Sequence, residues 1–364
     1  MIIDCHAHVF QHWAGLCGHE SREVQLKYMQ KTVTRPAAEV RRARGGARAT
    51  GQLLFDPADN SWAGLRDDVR FRVGPYGRLE FTVAGEDYHV QYMPVGMAQI
   101  EAPPELQLAQ MAYAGVDHAV LQAGMTYGVM NDYNAFCQSQ YPAKFTGLLH
   151  VDEPQADTPR WMRELERAHG LGLRGLYYQV DAFARYGFHW ALDDPRFDGF
   201  WEAVAAMRVP VFLECSSGPD YTEKGYTANL LRLERLLVRF PQMRWLLVMG
   251  PPVGFFAKGG TWEFPAEVQR VYARENLQLE IMFPITWGGV WDYPYPEAQA
   301  LIRDLRDRFG AHKLLWGSDM PNVERFCTYR QCIDYVRRYC EFLTAADKDR
   351  ILGNNVAELC GIQP

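Results

Sequence analysis

The chain opens with two histidines one residue apart, in the segment DCHAH (residues 4–8). If this segment ends a β-strand, its side chains alternate between two faces, so His6 and His8 point to the same side. Two imidazoles one strand repeat apart can hold one metal ion. A His-x-His pair also arises by chance, and such histidines usually have structural roles. The metal hypothesis therefore requires a strand end that faces a cavity and an acidic group beside it.

An acidic group occurs near the other end of the chain, in the segment WGSDMP (residues 316–321). The Asp319 carboxylate, if it faces imidazoles, can accept a proton from water or return one to a substrate. If Glu214 lies close to it, repulsion between the two carboxylates keeps a proton on one of them to a higher pH, which provides an acid and a base together. We predict that the catalytic residues are Asp319, His6, His8 and Glu214, in a site that also contains Asp4.

Eight short β-rich segments could position these side chains. From the second onward they begin about 30 residues apart, the length of one strand and its return helix. The stretches between them place apolar residues at helical intervals, and eight such units close a (β/α)8 TIM barrel. The segments span residues 2–8, 118–124, 145–151, 173–180, 209–215, 244–250, 277–283 and 314–320. We therefore predict a single α/β domain over residues 1–364, with the active site at the carboxyl ends of the strands.

The gap between the first two segments is much longer than the others. Within it, residues 70–93 alternate and turn like antiparallel hairpins. We interpret about residues 15–95 as an insertion that contains β-hairpins. Because it follows the carboxyl end of the first strand, we expect it to lie over the mouth of the active site.

Other polar and aromatic side chains are expected at the remaining strand ends and in loops that reach the same mouth. Each of them could equally be an ordinary packing residue. An aromatic group after the seventh segment is rich enough to wall a pocket for a flat substrate. The candidate substrate-binding residues are His150, Tyr178, His189, Glu280 and Trp287.

Four segments carry a resemblance to a known family: DCHAH, GVDHAVLQ, RFDGFWEAVAAMRVPVFLE and LLWGSDMPN. With them the chain resembles the amidohydrolase superfamily over nearly its whole length. The similar branch contains aminocarboxymuconate-semialdehyde decarboxylase, γ-resorcylate decarboxylase and oxalomesaconate hydratase. The resemblance implies that His6, His8 and Asp319 bind a divalent ion.

Two ligand positions of that family are altered here. Where relatives have a histidine at the end of the fifth strand, this chain has Glu214, and at the end of the sixth it has Met249 or Gly250. Glutamate oxygen binds zinc or manganese, so His6, His8, Glu214 and Asp319 could form a mixed nitrogen and oxygen site. Alternatively, the metal has been lost and acid–base groups act alone, as is understood for the related pyrone-dicarboxylate lactonase. The sequence leaves both alternatives open, and it predicts no organic cofactor.

The resemblance favours a carbon–carbon lyase of the decarboxylase type that acts on a small unsaturated or aromatic carboxylic acid. The alternative is a metal-independent hydrolase that opens a lactone, a cyclic amide or a ring ketone. A third hypothesis is a barrel that only binds a ligand. The presence of His6, His8 and Asp319 together argues against that third hypothesis.

Composition restricts the partners. A formal net charge of −6 and a pI near 6.0 argue against a nucleic-acid surface. The N-terminal residues do not have the pattern of a signal peptide, and no run of about 18 apolar residues occurs, so we expect a cytoplasmic protein without a membrane partner.

Eight cysteines without a CxxC pair are expected to be reduced thiols. The resemblance and the aromatic-rich insertion predict a homodimer or a higher homo-oligomer.

Overall fold

Strands and helices alternate along most of the computed structural model, which describes residues 1–34, 39–59, 61–218 and 221–363. The strands are β1 (Ile3–Ala7), β2 (Val40–Arg42), β3 (Arg72–Val73), β4 (Arg78–Val83), β5 (Glu86–Gln91), β6 (His118–Leu121), β7 (Phe145–Gly147), β8 (Leu176–Gln179), β9 (Val211–Glu214), β10 (Trp245–Val248), β11 (Ala257–Lys258), β12 (Thr261–Trp262), β13 (Leu277–Ile281) and β14 (Leu314–Trp316). The helices are α1 (Arg22–Thr32), α2 (Pro104–Ala114), α3 (Asn131–Gln140), α4 (Pro159–Gly170), α5 (Asp181–Arg185), α6 (Asp198–Met207), α7 (Glu223–Arg239), α8 (Val253–Phe256), α9 (Ala266–Tyr272), α10 (Phe283–Trp287), α11 (Pro296–Phe309), α12 (Tyr329–Arg337), α13 (Ala345–Asp349) and α14 (Asn355–Cys360).

Eight of these strands form two parallel sheets. One has the order β1-β6-β7, and the other has the order β14-β13-β10-β9-β8. Isolated parallel bridges connect the two sheets at both ends, between Ala7 and Met320 and between Leu149 and Leu176. All eight strands lie within the segments predicted from the sequence. Their carboxyl ends therefore lie at a common edge, as the position of the candidate site requires.

Alternation along the strands divides their side chains between two cores. Val120, Phe212 and Leu246 belong to the smaller core, which α14 covers with Val356 and Leu359. Residues of the other parity pack beneath the surrounding helices in the larger core, among them Leu121, Leu213, Leu247 and Leu279. Thr344 is the N-cap of α13 and forms a capping box with Asp347.

An antiparallel sheet with the order β2-β5-β4-β3 lies between β1 and β6 in the sequence. Its apolar side chains, including Leu79, Phe81 and Val90, pack with Phe10 and Trp13 in a separate core. The paired strands β4 and β5 fall inside the region in which hairpins were expected. Within the predicted insertion of about residues 15–95, residues 35–38 and 60 lie outside the described residues.

Two further observations concern the cysteines and the helices. All eight cysteines are free thiols in the structure. Among the helices of the described residues, none is both long and apolar enough to cross a membrane.

Candidate metal site and its cavity

A cavity of about 630 Å³ opens at the carboxyl ends of the parallel strands. His6 reaches it from β1, His8 from the position directly after β1, Glu214 from β9, and Asp319 from the loop after β14. The antiparallel sheet contributes Val90 and Gln91 to its wall, and Tyr92 and Val95 in the segment after β5 also line it. The strands and the antiparallel sheet therefore form one cavity together.

Three ligand-type side chains converge within this cavity. The Nε2 atoms of His6 and His8 are 3.2 Å apart, and Asp319 Oδ1 lies 2.9 Å from His8 Nε2 and 4.0 Å from His6 Nε2. Two nitrogens that each lie about 2.0–2.1 Å from one zinc ion can have this separation. Among the described residues, these three form the group whose ligand atoms all lie within 4.8 Å of one another.

The outer nitrogen of each ring determines what its inner nitrogen can do. His6 Nδ1 is 3.2 and 3.3 Å from the two Glu280 oxygens, and His8 Nδ1 is 2.8 Å from the carbonyl oxygen of Gln122. A carboxylate and a carbonyl only accept hydrogen bonds, so each Nδ1 carries a hydrogen. In the neutral rings both Nε2 atoms then present lone pairs to each other and to Asp319. Such an arrangement requires a shared positive charge, either a proton or a metal ion, so the residues fit a divalent cation.

The titration of these groups follows from the same contacts. Burial alone lowers the pKa of His6, but the adjacent Glu280 carboxylate, with Asp319 and Asp4, raises it to about 9. Burial raises the pKa of Asp319, but the hydrogen bond from His8 and the charges of both histidines outweigh it and hold the pKa below its usual value. The site therefore favours a cation beside a carboxylate.

Asp4 connects β1 with the residues that follow β14, the last of the eight parallel strands. Its Oδ1 accepts hydrogen bonds from the backbone nitrogens of His6 and Ser318, both at 3.0 Å. Its Oδ2 accepts from Ser318 Oγ at 2.5 Å and from the Tyr329 hydroxyl at 2.6 Å. Burial raises the pKa of Asp4 to about 6, although these hydrogen bonds lower it. Asp4 does not line the cavity, and it holds the ends of β1 and β14 together.

Two backbone positions at the site adopt left-handed conformations. Asp319 has a φ of 62° and Met249 has a φ of 65°. Aspartate adopts this conformation more readily than methionine does. At Asp319 the backbone nitrogen donates to the carbonyl oxygen of His6 at 2.8 Å, which ties the turn to β1.

Glu214 and Glu280 have different environments. One Glu214 oxygen, Oε2, accepts hydrogen bonds from the Tyr177 hydroxyl at 2.8 Å and from Gln179 Nε2 at 2.6 Å. Glu214 lines the cavity but does not belong to the group of converging ligand atoms. Glu280 is buried and accepts from His6 and from the backbone nitrogen of Met249 at 2.7 Å. Glu280 therefore orients a candidate ligand and does not line the cavity.

The remaining predicted substrate-binding residues are not brought to the cavity. His150 is buried, and its Nε2 accepts from the backbone nitrogen of Met130 at 3.0 Å. Tyr178 faces the helix layer, where its ring lies 5.0 Å from that of Trp201. His189 is exposed on its loop, and Trp287 stacks on Trp291 with ring centroids 5.2 Å apart. None of the four lines the cavity as the described residues form it.

Several lining residues were not predicted from the sequence. Tyr177 and Gln179 lie on the face of β8 that points into the cavity. The predicted residue, Tyr178, lies between them and points to the opposite face. Asn322 ends the LLWGSDMPN segment and could have been found there. Tyr127 lies in the loop after β6, and this loop has no periodic sequence pattern from which its contact with the cavity could be predicted.

Comparison with known proteins identifies the family to which the chain belongs. The family model described as amidohydrolase matches residues 3–362. No curated protein matches the sequence. Among solved structures, a Pseudomonas putida protein assigned as a 2-pyrone-4,6-dicarboxylic acid hydrolase is 17% identical with a TM-score of 0.55, over 73% of this chain and 90% of that chain.

Two decarboxylases are also similar in structure. The 5-carboxyvanillate decarboxylase of Sphingomonas paucimobilis is 19% identical with a TM-score of 0.50, over 71% of this chain and 82% of that chain. The 2,6-dihydroxybenzoate decarboxylase of Rhizobium is 16% identical with a TM-score of 0.51, over 70% and 87%. At these identities the likeness concerns the fold, and the family and its neighbours imply a TIM barrel.

Proposed function

Because the chain belongs to the amidohydrolase family, we propose that it is an enzyme that removes carbon dioxide from a small unsaturated or aromatic carboxylic acid. The observation that carries this proposal is the convergence of two Nε2 lone pairs and a carboxylate inside a cavity large enough for such an acid. Ile285 and Phe326 add apolar surface that suits a flat ring.

We assign His6, His8 and Asp319 as the holders of one divalent ion, zinc or manganese. When bound, the ion supplies positive charge that neutralises a substrate oxygen and acts as a Lewis acid. Glu214 is left out of the ligand set in this proposal, because Tyr177 and Gln179 already bind its Oε2. Its other oxygen is available to a substrate.

The reaction requires a proton at carbon. The bond between the carboxyl carbon and its neighbour breaks, the electron pair stays on the neighbour, and a proton is added there as carbon dioxide leaves. Asp319 and Glu214 line the cavity at the ends of the parallel strands, and their carboxylates can hold or transfer this proton. We assign the transfer to Asp319, which Asn322 and His8 hold in place.

A hydrolase remains the second candidate, and Met249 favours it. This residue lines the cavity at the end of β10, where the sequence resemblance expects a histidine ligand. A thioether is a poor ligand for zinc or manganese in such a site. In this alternative, Asp319 and Glu214 activate water without an ion, and the substrate ring opens without loss of carbon dioxide.

The two candidates differ in product and in metal dependence. Purified protein is analysed for zinc and manganese, then assayed with 2,6-dihydroxybenzoate, 5-carboxyvanillate and 2-pyrone-4,6-dicarboxylate before and after chelation. Release of carbon dioxide that chelation abolishes and zinc or manganese restores is the expected result. Ring opening that survives chelation supports the hydrolase. Full decarboxylase activity with far less than one ion per chain contradicts the proposed ligand set.

A further inference from the structure

Tyr127 lines the cavity directly beside the candidate metal site. Its ring stacks on that of His8, with centroids 4.4 Å apart and planes 15° apart. Its hydroxyl oxygen is 2.7 Å from Asn322 Nδ2, and the same nitrogen lies 2.8 Å from Asp319 Oδ1. Tyr127 is thus held by a ring on one side and by an amide on the other.

The orientation of the Asn322 amide determines the role of the tyrosine hydroxyl. If the amide were turned over, its oxygen would face the Asp319 carboxylate, and two acceptors would repel each other. The nitrogen therefore donates one hydrogen to Asp319 and the other to Tyr127. Tyr127 accepts in this bond, so its own hydroxyl hydrogen is available to another acceptor.

No acceptor for that hydrogen occurs among the residues that the structure describes. Every hydrogen bond recorded for the Tyr127 hydroxyl has this oxygen as the acceptor. A phenol keeps its proton at neutral pH, since its ordinary pKa is about 10. A ring fixed by stacking also loses little rotational freedom when its hydroxyl binds a ligand. The Tyr127 hydroxyl is thus an oriented donor at the cavity, and within the described residues it has no protein acceptor.

On the basis of the proposed function, we propose that Tyr127 donates its hydroxyl hydrogen to an anionic oxygen of the substrate, namely an oxygen of the carboxylate beside the metal site. Hydrogen bonds from a fixed neutral donor to an ionised oxygen are stronger than those between neutral groups. Asn322 acts as a positioning residue, because it holds both Tyr127 and Asp319 but directs both of its amide hydrogens to protein oxygens.

The test is the binding of benzoate to the metal-loaded protein, because this simple carboxylate needs no turnover. Tyr127→Phe removes the donor and keeps the ring on His8. The matched control is Tyr226→Phe, which removes a buried hydroxyl that pairs with Tyr272 at 2.8 Å in the helix layer. We expect benzoate affinity, measured by calorimetry, to fall about 10- to 100-fold in Tyr127→Phe and to stay unchanged in the control. Thermal unfolding and metal analysis verify that both variants are folded and loaded.

Kinetics with any acid that is turned over provide a second measurement. We expect kcat/KM to fall by at least the same factor in Tyr127→Phe, without loss of metal. Equal benzoate affinity in Tyr127→Phe and the wild type overturns the inference, and so does the absence of binding to the wild type at millimolar benzoate. If none of the three acids is turned over but Tyr127→Phe still weakens benzoate, the proposed reaction fails and the donor assignment holds.

Discussion

At the scale of single residues, Asp319 has two partners that constrain its carboxylate. Its Oδ1 accepts from Asn322 Nδ2 at 2.8 Å and faces His8 Nε2 at 2.9 Å. In Asp319→Asn the atom at the Oδ1 position can accept from Asn322 as an amide oxygen, but it then faces His8 Nε2 without the negative charge of the carboxylate. The substitution therefore removes a charge and a ligand while the size of the side chain and its contact with Asn322 are kept.

We expect Asp319→Asn to lower kcat by about 10²–10⁴-fold, the usual contribution of a positioned acid–base group, with an unfolding temperature close to that of the wild type. Steady-state kinetics and calorimetric unfolding provide the two measurements. Wild-type turnover in a folded Asp319→Asn variant would contradict the assignment under either metal alternative.

Glu280 permits a test of metal binding without a change in any ligand. Its two oxygens accept from His6 Nδ1 and from the Met249 backbone nitrogen. In Glu280→Gln the negative charge is lost and an amide nitrogen replaces one oxygen. Because His6 Nδ1 lies 3.2 and 3.3 Å from the two oxygens, this nitrogen faces the His6 donor in either orientation of the amide. We expect metal affinity to fall about 10- to 100-fold, as is typical when the group behind a ligating histidine is changed.

Competition with a chromophoric chelator measures this affinity. Glu164→Gln is the control, because Glu164 binds Asn131 at 2.7 Å and does not line the cavity. Equal metal affinity in Glu280→Gln and the control would mean that the contact does not determine the state of His6.

At the scale of elements, Gly317 explains how three strands fit together at the site. It follows β14, and a Cβ atom built there would lie 2.2 Å from Glu280 Oε1 and 2.9 Å from His6 Cβ. Real atoms do not approach so closely, so Gly317→Ala has to displace Glu280 from His6. We expect a loss of stability of about 1–3 kcal/mol, the usual range for overpacking, together with weaker metal binding.

The same substitution at Gly199 is a matched control. This glycine lies in α6, and a Cβ there meets no atom within 4 Å. Because alanine favours helices, Gly199→Ala should be neutral or slightly stabilising. Urea unfolding and chelator competition compare the two variants. An unchanged metal affinity in Gly317→Ala would show that Glu280 has room to move.

The parallel strands and their helices were predictable, because short β-rich runs that recur about every 30 residues, with helical periodicity between them, leave a strong pattern in the sequence. The roles of individual side chains at the strand ends were not predictable. Neighbouring residues of a strand point to opposite faces, so Tyr177 lines the cavity while Tyr178 lies in the helix layer. The sequences of loops, such as the one that contains Tyr127, have no hydrophobic periodicity, so the positions of their side chains could not be predicted. Glu280 was predicted to bind substrate, but it orients His6 instead. A glutamate at a strand end has the same sequence pattern in both roles.

At the scale of the whole molecule, buried histidines link stability to pH. His150 is fully buried, and its Nε2 accepts a hydrogen bond from the Met130 nitrogen, so a proton there would face a donor. Burial lowers its pKa from 6.5 to about 4, with a smaller opposing effect of Glu164 and a further lowering by His19. Between these two pH values the unfolded chain binds the proton and the folded chain does not. The free energy of unfolding therefore falls as the pH decreases from 6.5 toward 4.

One pKa unit corresponds to about 1.36 kcal/mol, so this residue alone should lower stability by roughly 2 kcal/mol between pH 7 and pH 5. In His150→Gln the side-chain oxygen can still accept from Met130 but does not titrate, so the difference between the two pH values should shrink by that amount. The exposed His189→Gln substitution is the control, and it should keep the wild-type difference. Urea unfolding at both pH values measures all three proteins. If His150→Gln loses as much stability as the wild type, the acid sensitivity originates from other groups, and the burial of a neutral His150 does not govern it.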